Sequence, residues 1–236
     1  MQLILSTIDH QYGWITRFAP YEEVIADLDM QSTRRCIKTH TPLDGLPVDD
    51  NVHYITIYRH PIDVHFSMRK FISNAIESTL KVYYPENVSV GFQQFLERGL
   101  DGGDFDMPSL QTIIRHYEQS HKSVKANVLV LHYADMQRDL ETAVVQIGKH
   151  IGTSHPPNTI ASIVAATSFE SMKSNSHRFT PYAGKGVWKD DQAFFDSGKN
   201  RKWEGRLTAE DLDAYDRKMA QLISPEARRW IEEGGR

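Results

Sequence analysis

Two short segments hold side chains whose types and spacing can do chemistry: Lys38-Thr39-His40-Thr41-Pro42, and Arg59-His60-Pro61-Ile62-Asp63 running on to Ser67. His40 stands at the end of a predicted strand, two positions after Lys38, so both side chains fall on one face. An imidazole titrating near ~6.5 suits removal of a proton from a hydroxyl, and a neighbouring ammonium suits negative charge developing on a transferred group. The same pair also fits a structural histidine beside a solvated lysine. Arg59 closes a second predicted strand, and Pro61 opens the helix that carries Ser67. The junction of a strand end and a helix N-terminus binds phosphate in α/β sheets, because backbone N–H groups and the helix dipole favour anions there, and a guanidinium adds a forked contact. The plain alternative is an Arg59–Asp63 pair with Ser67 facing solvent.

The elements that must position these residues are read from apolar patterning. Strand-length apolar runs at Arg35 to Thr39, His53 to Tyr58 and Asn127 to His132 suit strands buried on both faces of a parallel sheet. The spacing predicts helices over Pro61 to Asn74, Pro108 to Ser123, Asp135 to His150, Pro157 to Ala166, Ala209 to Ile223 and Pro225 to Glu233. Four of them open on a proline, whose missing N–H costs nothing in a first turn. In the third, Asp135 is expected to cap the start and Gly152 the end. Alternating strands and helices imply an α/β layered fold with a central parallel sheet. Tyr83 to Asp106 and His177 to Arg206 carry no such pattern; the second, basic and aromatic, reads as a lid.

A chain of 236 residues, 40% apolar and 25% charged, has the composition of an ordinary globular protein. A net charge of -4 argues against a nucleic-acid or anionic-membrane partner, so an anion site must be a local cluster. The single cysteine, Cys36, leaves no disulfide framework and fits a cytoplasmic protein. His60 and His65 have no acidic partner at ligand spacing, so no metal site is expected.

In order along the chain, these segments resemble the cytosolic sulfotransferase family, in a bacterial form, whose members move a sulfuryl group from 3'-phosphoadenosine 5'-phosphosulfate (PAPS) to a hydroxyl or amine and release 3'-phosphoadenosine 5'-phosphate (PAP). The resemblance implies a P-loop-NTPase-like sulfotransferase fold, His40 as general base and Lys38 as the cation on the sulfuryl group. It implies that Arg59 and Ser67 hold the 3'-phosphate, and that Tyr133, Thr167 and Phe169 surround the adenine and 3'-phosphate. The stretch Phe194-Phe195-Asp196-Ser197-Gly198-Lys199-Asn200-Arg201-Lys202-Trp203 is similar to the loop that closes over the nucleotide, which brings Phe195, Gly198, Lys199 and Arg201 to the site. Taken without the resemblance, Tyr133 and Phe169 also read as packing residues and Lys199 to Lys202 as a solvated loop.

Two departures from the family pattern bear on these expectations. No segment of the Lys-Ser-Gly-Thr-Thr-Trp type occurs, so residues 1–236 are expected to form one sulfotransferase domain whose first strand and phosphate loop are missing. Asp196-Ser197 stands where the family commonly places basic residues, and an aspartate there repels a 3'-phosphate unless it points away. The expected activity is sulfuryl transfer to the hydroxyl of a small-molecule acceptor. The alternative is a non-catalytic 3'-phosphoadenosine-binding or partner-binding remnant.

Overall fold

Two strands, β1 (Tyr54–Tyr58) and β2 (Val128–His132), pair in parallel, with Tyr54 opposite Val128 and Tyr58 opposite His132. The structure is a computed structural model that describes residues 29–30, 34, 43–46, 49–77, 79–99, 108–122, 127–180 and 183–235. Lys38, His40 and the strand expected over Arg35 to Thr39 lie outside the described residues. The chain falls into two compact units, Met1–Val52 with Asp101–Met107, and His53–Leu100 with Pro108–Arg236. In the first, the described residues include a 3-10 turn at Leu43–Gly45. The strands and the helices labelled below belong to the second.

Parallel neighbours require a long crossover, which here carries α1 (Pro61–Asn74), α2 (Val88–Glu97) and α3 (Leu110–Lys122). After β2 the chain is helical: α4 (Tyr133–Arg138), α5 (Leu140–His150), α6 (Pro157–Thr167), α7 (Phe169–Ser174) and α8 (Ser176–Phe179). An irregular stretch then leads to α9 (Ala209–Leu222) and α10 (Pro225–Glu233). This is an α/β architecture with a parallel sheet flanked by helices.

Three expectations need correction. The helix predicted from Asp135 to His150 is broken at Asp139, whose φ of -150° and ψ of 80° interrupt the ladder while its carboxylate accepts from Thr142 N and caps α5. Asp135 lies inside α4 instead of capping it. The stretch Tyr83 to Asp106 was expected to be irregular, yet it contains α2, capped by Asn87, whose side chain accepts from Val90 N. That helix buries Phe92, Phe95 and Leu96 against Phe66 of α1 and Leu110 of α3. Burial of such side chains from water is the main force holding these helices on the sheet. The strands are also less enclosed than a two-faced burial predicts: Ile55 and Ile57, on one face of β1, are 38% and 53% exposed.

The register explains the placement of the site. Because Tyr58 pairs with His132, the chain leaves both strands side by side, and Arg59-His60 and Tyr133 emerge together at the C-terminal edge of the sheet. The two exits are built alike. His60 accepts from Ile62 N through Nδ1, and His132 accepts from Ala134 N through Nδ1, so an imidazole caps each following helix.

Candidate nucleotide site

The guanidinium of Arg59 lies over the Tyr133 ring, 4.4 Å from its centroid. Its Nη1 donates to Ser67 Oγ at 3.2 Å, and its Nη2 donates to the carbonyl of Lys199 at 2.6 Å. Ser67 lies two turns along α1 from its start, so the helix brings the hydroxyl back over the strand end. A second cation reaches the same oxygen: Lys202 Nζ donates to Ser67 Oγ at 3.2 Å and to Asp196 Oδ2 at 2.8 Å. Arg59 and Ser67 therefore meet, and the Arg59–Asp63 pair does not form. Asp63, 1% exposed, instead accepts from the backbone N–H groups of Arg201 and Lys202 at 2.9 and 3.0 Å.

Those two bonds anchor the loop that carries the rest of the site. Arg201 has a φ of 57°, the left-handed conformation uncommon for a residue with a Cβ. Its guanidinium is turned outward onto Glu204 and is largely exposed, whereas Lys202 is 12% exposed and points at Ser67. The sequence offers Lys199, Arg201 and Lys202 together as cations that compensate for Asp196, with Arg201 foremost; here the backbone of Arg201 lies in the anchor and Lys202 has the inward side chain. The Lys199 side chain is exposed and its carbonyl serves Arg59.

Gly198 is required where it stands. Its φ is 65°, and a Cβ there would lie 2.9 Å from a ring carbon of Phe169. Its carbonyl accepts from the Tyr133 hydroxyl at 3.2 Å and from the Gln137 side-chain amide. Phe169 and Phe195 meet edge to face at 6.3 Å, forming an apolar corner beside the cations. Lys173 Nζ lies 5.9 Å from the Phe169 centroid and donates to the Asp196 carbonyl at 2.8 Å. Thr167, the last residue of α6, is exposed and donates its hydroxyl back to Ile163 O within its own helix. A cleft of about 410 Å³ opens along Phe169, Lys173, Gln192 and Ser197. Lys173, Gln137 and Asp63 are the residues that motif spacing alone did not assign to the site.

Electrostatics follow from burial and from these pairs. Burial raises the Asp196 carboxyl, but the hydrogen bond and charge of Lys202, with Lys70 and Lys173 behind, outweigh it and hold the group below its ordinary range. Burial pushes Tyr133 up against the opposing Arg59 charge. His60 and His132 are both pushed down by burial, which keeps their Nδ1 atoms free to accept. A set of cations and a serine hydroxyl beside an aromatic corner is suited to a phosphorylated, planar ligand.

A cluster of cations and a serine hydroxyl outside the C-terminal ends of parallel strands lies where α/β folds bind their ligands. The sulfotransferase domain model matches residues 2–225, so the chain belongs to the sulfotransferase domain family. A glycolipid sulfotransferase from Mycobacterium bovis is 28% identical over 98% of this chain and 79% of its own length. The fold is similar to that of mouse sulfotransferase SULT7A1 complexed with PAP, at a TM-score of 0.69, 22% identity, 87% of this chain and 72% of the other. It is similar too to a retinol dehydratase in complex with androsterone and inactive cofactor PAP, at a TM-score of 0.67, 21% identity, 91% of this chain and 62% of the other. Among the described residues no helix is long and apolar enough to cross a membrane, and no group of histidine, cysteine and acidic side chains is arranged to hold a metal.

Proposed function

We propose that this chain is one cytoplasmic sulfotransferase domain, residues 1–236, that moves a sulfuryl group from PAPS to the hydroxyl of a small-molecule acceptor and releases PAP. His40 takes the acceptor proton as the new S–O bond forms in line with the breaking bond to the leaving phosphate, and Lys38 balances the charge on the passing sulfuryl oxygens. Such a transfer depends on positioning and charge stabilisation more than on covalent help from the protein. Arg59 and Ser67 receive the 3'-phosphate; Tyr133, Thr167, Phe169 and Phe195 take the base; Gly198, Lys199 and Arg201 belong to the closing loop.

The observation that carries this reading is the convergence of Arg59 and Lys202 on Ser67 Oγ, each at 3.2 Å. Two cations on one hydroxyl at a strand–helix junction gain little from a neutral ligand and much from a phosphate. The resemblance of Lys38-Thr39-His40-Thr41-Pro42 to the family's catalytic segment supports the roles of His40 and Lys38. The test is calorimetric titration with PAP and with PAPS, followed by turnover of PAPS with simple alcohols and phenols. Binding with turnover that His40→Ala abolishes, while PAP affinity stays within about threefold, is the expected result. Binding without turnover by the parent chain selects the non-catalytic alternative, and a folded protein that binds neither nucleotide overturns the reading.

A further inference from the structure

The cations of the nucleotide site are already occupied by their own chain. Lys202 holds the Asp196 carboxylate at 2.8 Å, Lys173 holds the Asp196 carbonyl at 2.8 Å, and Arg59 holds the Lys199 carbonyl at 2.6 Å. Asp196 is the one fully charged group among these acceptors, and its side chain is 35% exposed. Lys202, which it neutralises, is the cation that also touches Ser67.

We infer that Asp196 is a resident competitor for the 3'-phosphate: a tethered carboxylate seated on Lys202 beside Ser67, which a phosphorylated ligand must displace and a 3'-hydroxyl ligand need not. The inference rests on the nucleotide reading above and adds a specificity determinant to it. A phosphate dianion arriving beside Ser67 meets a carboxylate of like charge only a few ångströms away, and the repulsion at that range is only partly screened by solvent. Binding then requires Asp196 to leave Lys202, and the carbonyls of Asp196 and Lys199, on the same loop, are the acceptors that Lys173 and Arg59 must exchange for phosphate oxygens. A nucleotide with a free 3'-hydroxyl faces no such repulsion, because a carboxylate accepts a hydrogen bond from a hydroxyl. Asp196 therefore narrows the preference for 3'-phosphorylated over 3'-hydroxyl adenosine nucleotides.

The substitution Asp196→Asn keeps the shape and removes the charge. Calorimetry with PAP and with adenosine 5'-monophosphate, on the parent chain and the variant, is expected to show PAP binding tightened about tenfold and the monophosphate unchanged within about twofold. A PAP affinity that does not change, or a monophosphate affinity that rises equally, overturns the inference and leaves the nucleotide reading intact. If neither protein binds either nucleotide, the nucleotide reading fails, and inorganic phosphate decides the role of Asp196 alone. The variant should melt below the parent without ligand, because Lys202 loses its counter-ion, yet gain more in melting temperature from phosphate. Equal gains overturn it. Asp196→Ser serves for the same comparisons if the asparagine variant does not fold.

Discussion

Residue by residue, the candidate site separates side chains that face the proposed 3'-phosphate position from those that hold them there. Lys202 belongs to the first kind and Arg201 to the second, although they are adjacent, because the left-handed backbone of Arg201 turns its side chain outward. Replacing Lys202 with alanine is expected to weaken PAP binding about tenfold to a hundredfold, the usual range for one charge-assisted contact, whereas Arg201→Ala costs threefold or less. Calorimetry on the two variants checks the contrast, and the reverse order would mean that the loop rearranges when it is filled. His65 carries a different consequence. It is fully buried, both ring nitrogens lack a hydrogen-bond partner among the described residues, and Phe66, Tyr84, Phe92 and Phe95 surround it. Burial, reinforced by the charges of Arg69, Arg98 and Arg206, pushes it down to about 3. Two unsatisfied nitrogens in an apolar box cost stability, so His65→Leu should raise it by about 1 kcal/mol, a rise of about 2–4 °C in Tm for a chain of this size. A lower Tm would show that the imidazole has a polar partner after all.

At the scale of elements, both strand exits rest on a neutral histidine. A protonated imidazole cannot accept at Nδ1, so the caps on α1 and α4 exist only while His60 and His132 are uncharged. His132 also donates through Nε2 to Ile231 O at 3.1 Å, tying β2 to α10. Burial depresses both groups, as it does His65. A histidine lowered in the folded state takes up its proton in the unfolded chain first, so its contribution is complete above pH ~6.5 and is lost as the pH falls below that value. Urea unfolding should thus show stability falling by about 1 kcal/mol or more per pH unit between about pH 6.5 and 5. His65→Leu should lessen that slope, and a flat profile would mean that the imidazoles keep their ordinary pKa. The same elements show what the sequence could reveal. Pro61–Asn74 and Pro225–Glu233 match their predicted bounds because a first-turn proline and an apolar stripe agree. The break at Asp139 was hidden by the continuous stripe of Met136, Leu140 and Val144, since a cap competes with the ladder only through local backbone geometry. Helix α2 was missed although Asn87 signals its start, because Val88, Val90 and Gly91 have low helix propensity and burial of Phe92 and Phe95 overrides it.

Across the whole candidate nucleotide site, the residues come from distant parts of the chain: α1, the start of α4, the turn into α7 and the loop before α9. Sequence motifs named Arg59, Ser67, Tyr133, Phe169 and Gly198 one segment at a time. What no motif could state is which group joins them, because that is fixed by tertiary hydrogen bonds. Asp63 is that group: buried in the first turn of α1, it holds the amides of Arg201 and Lys202 and so delivers Lys202 to Ser67, eight positions from Arg59 along the chain. Both of its carboxylate oxygens are taken up by those amides, so on the proposed reading it is a positioning residue. Asp63→Ala leaves two backbone N–H groups without their acceptor and should loosen the loop, while Asp63→Asn, which still offers one acceptor oxygen, should do so less. The readouts are limited trypsin cleavage after Lys199, Arg201 and Lys202, and PAP affinity. Cleavage should speed up in the order parent, asparagine, alanine, with PAP binding weakened in the same order and by about tenfold or more in the alanine variant. Loss of PAP binding without faster cleavage would instead place Asp63 in direct contact with the ligand's surroundings; faster cleavage with unchanged PAP affinity would show that Lys202 reaches Ser67 without the anchor.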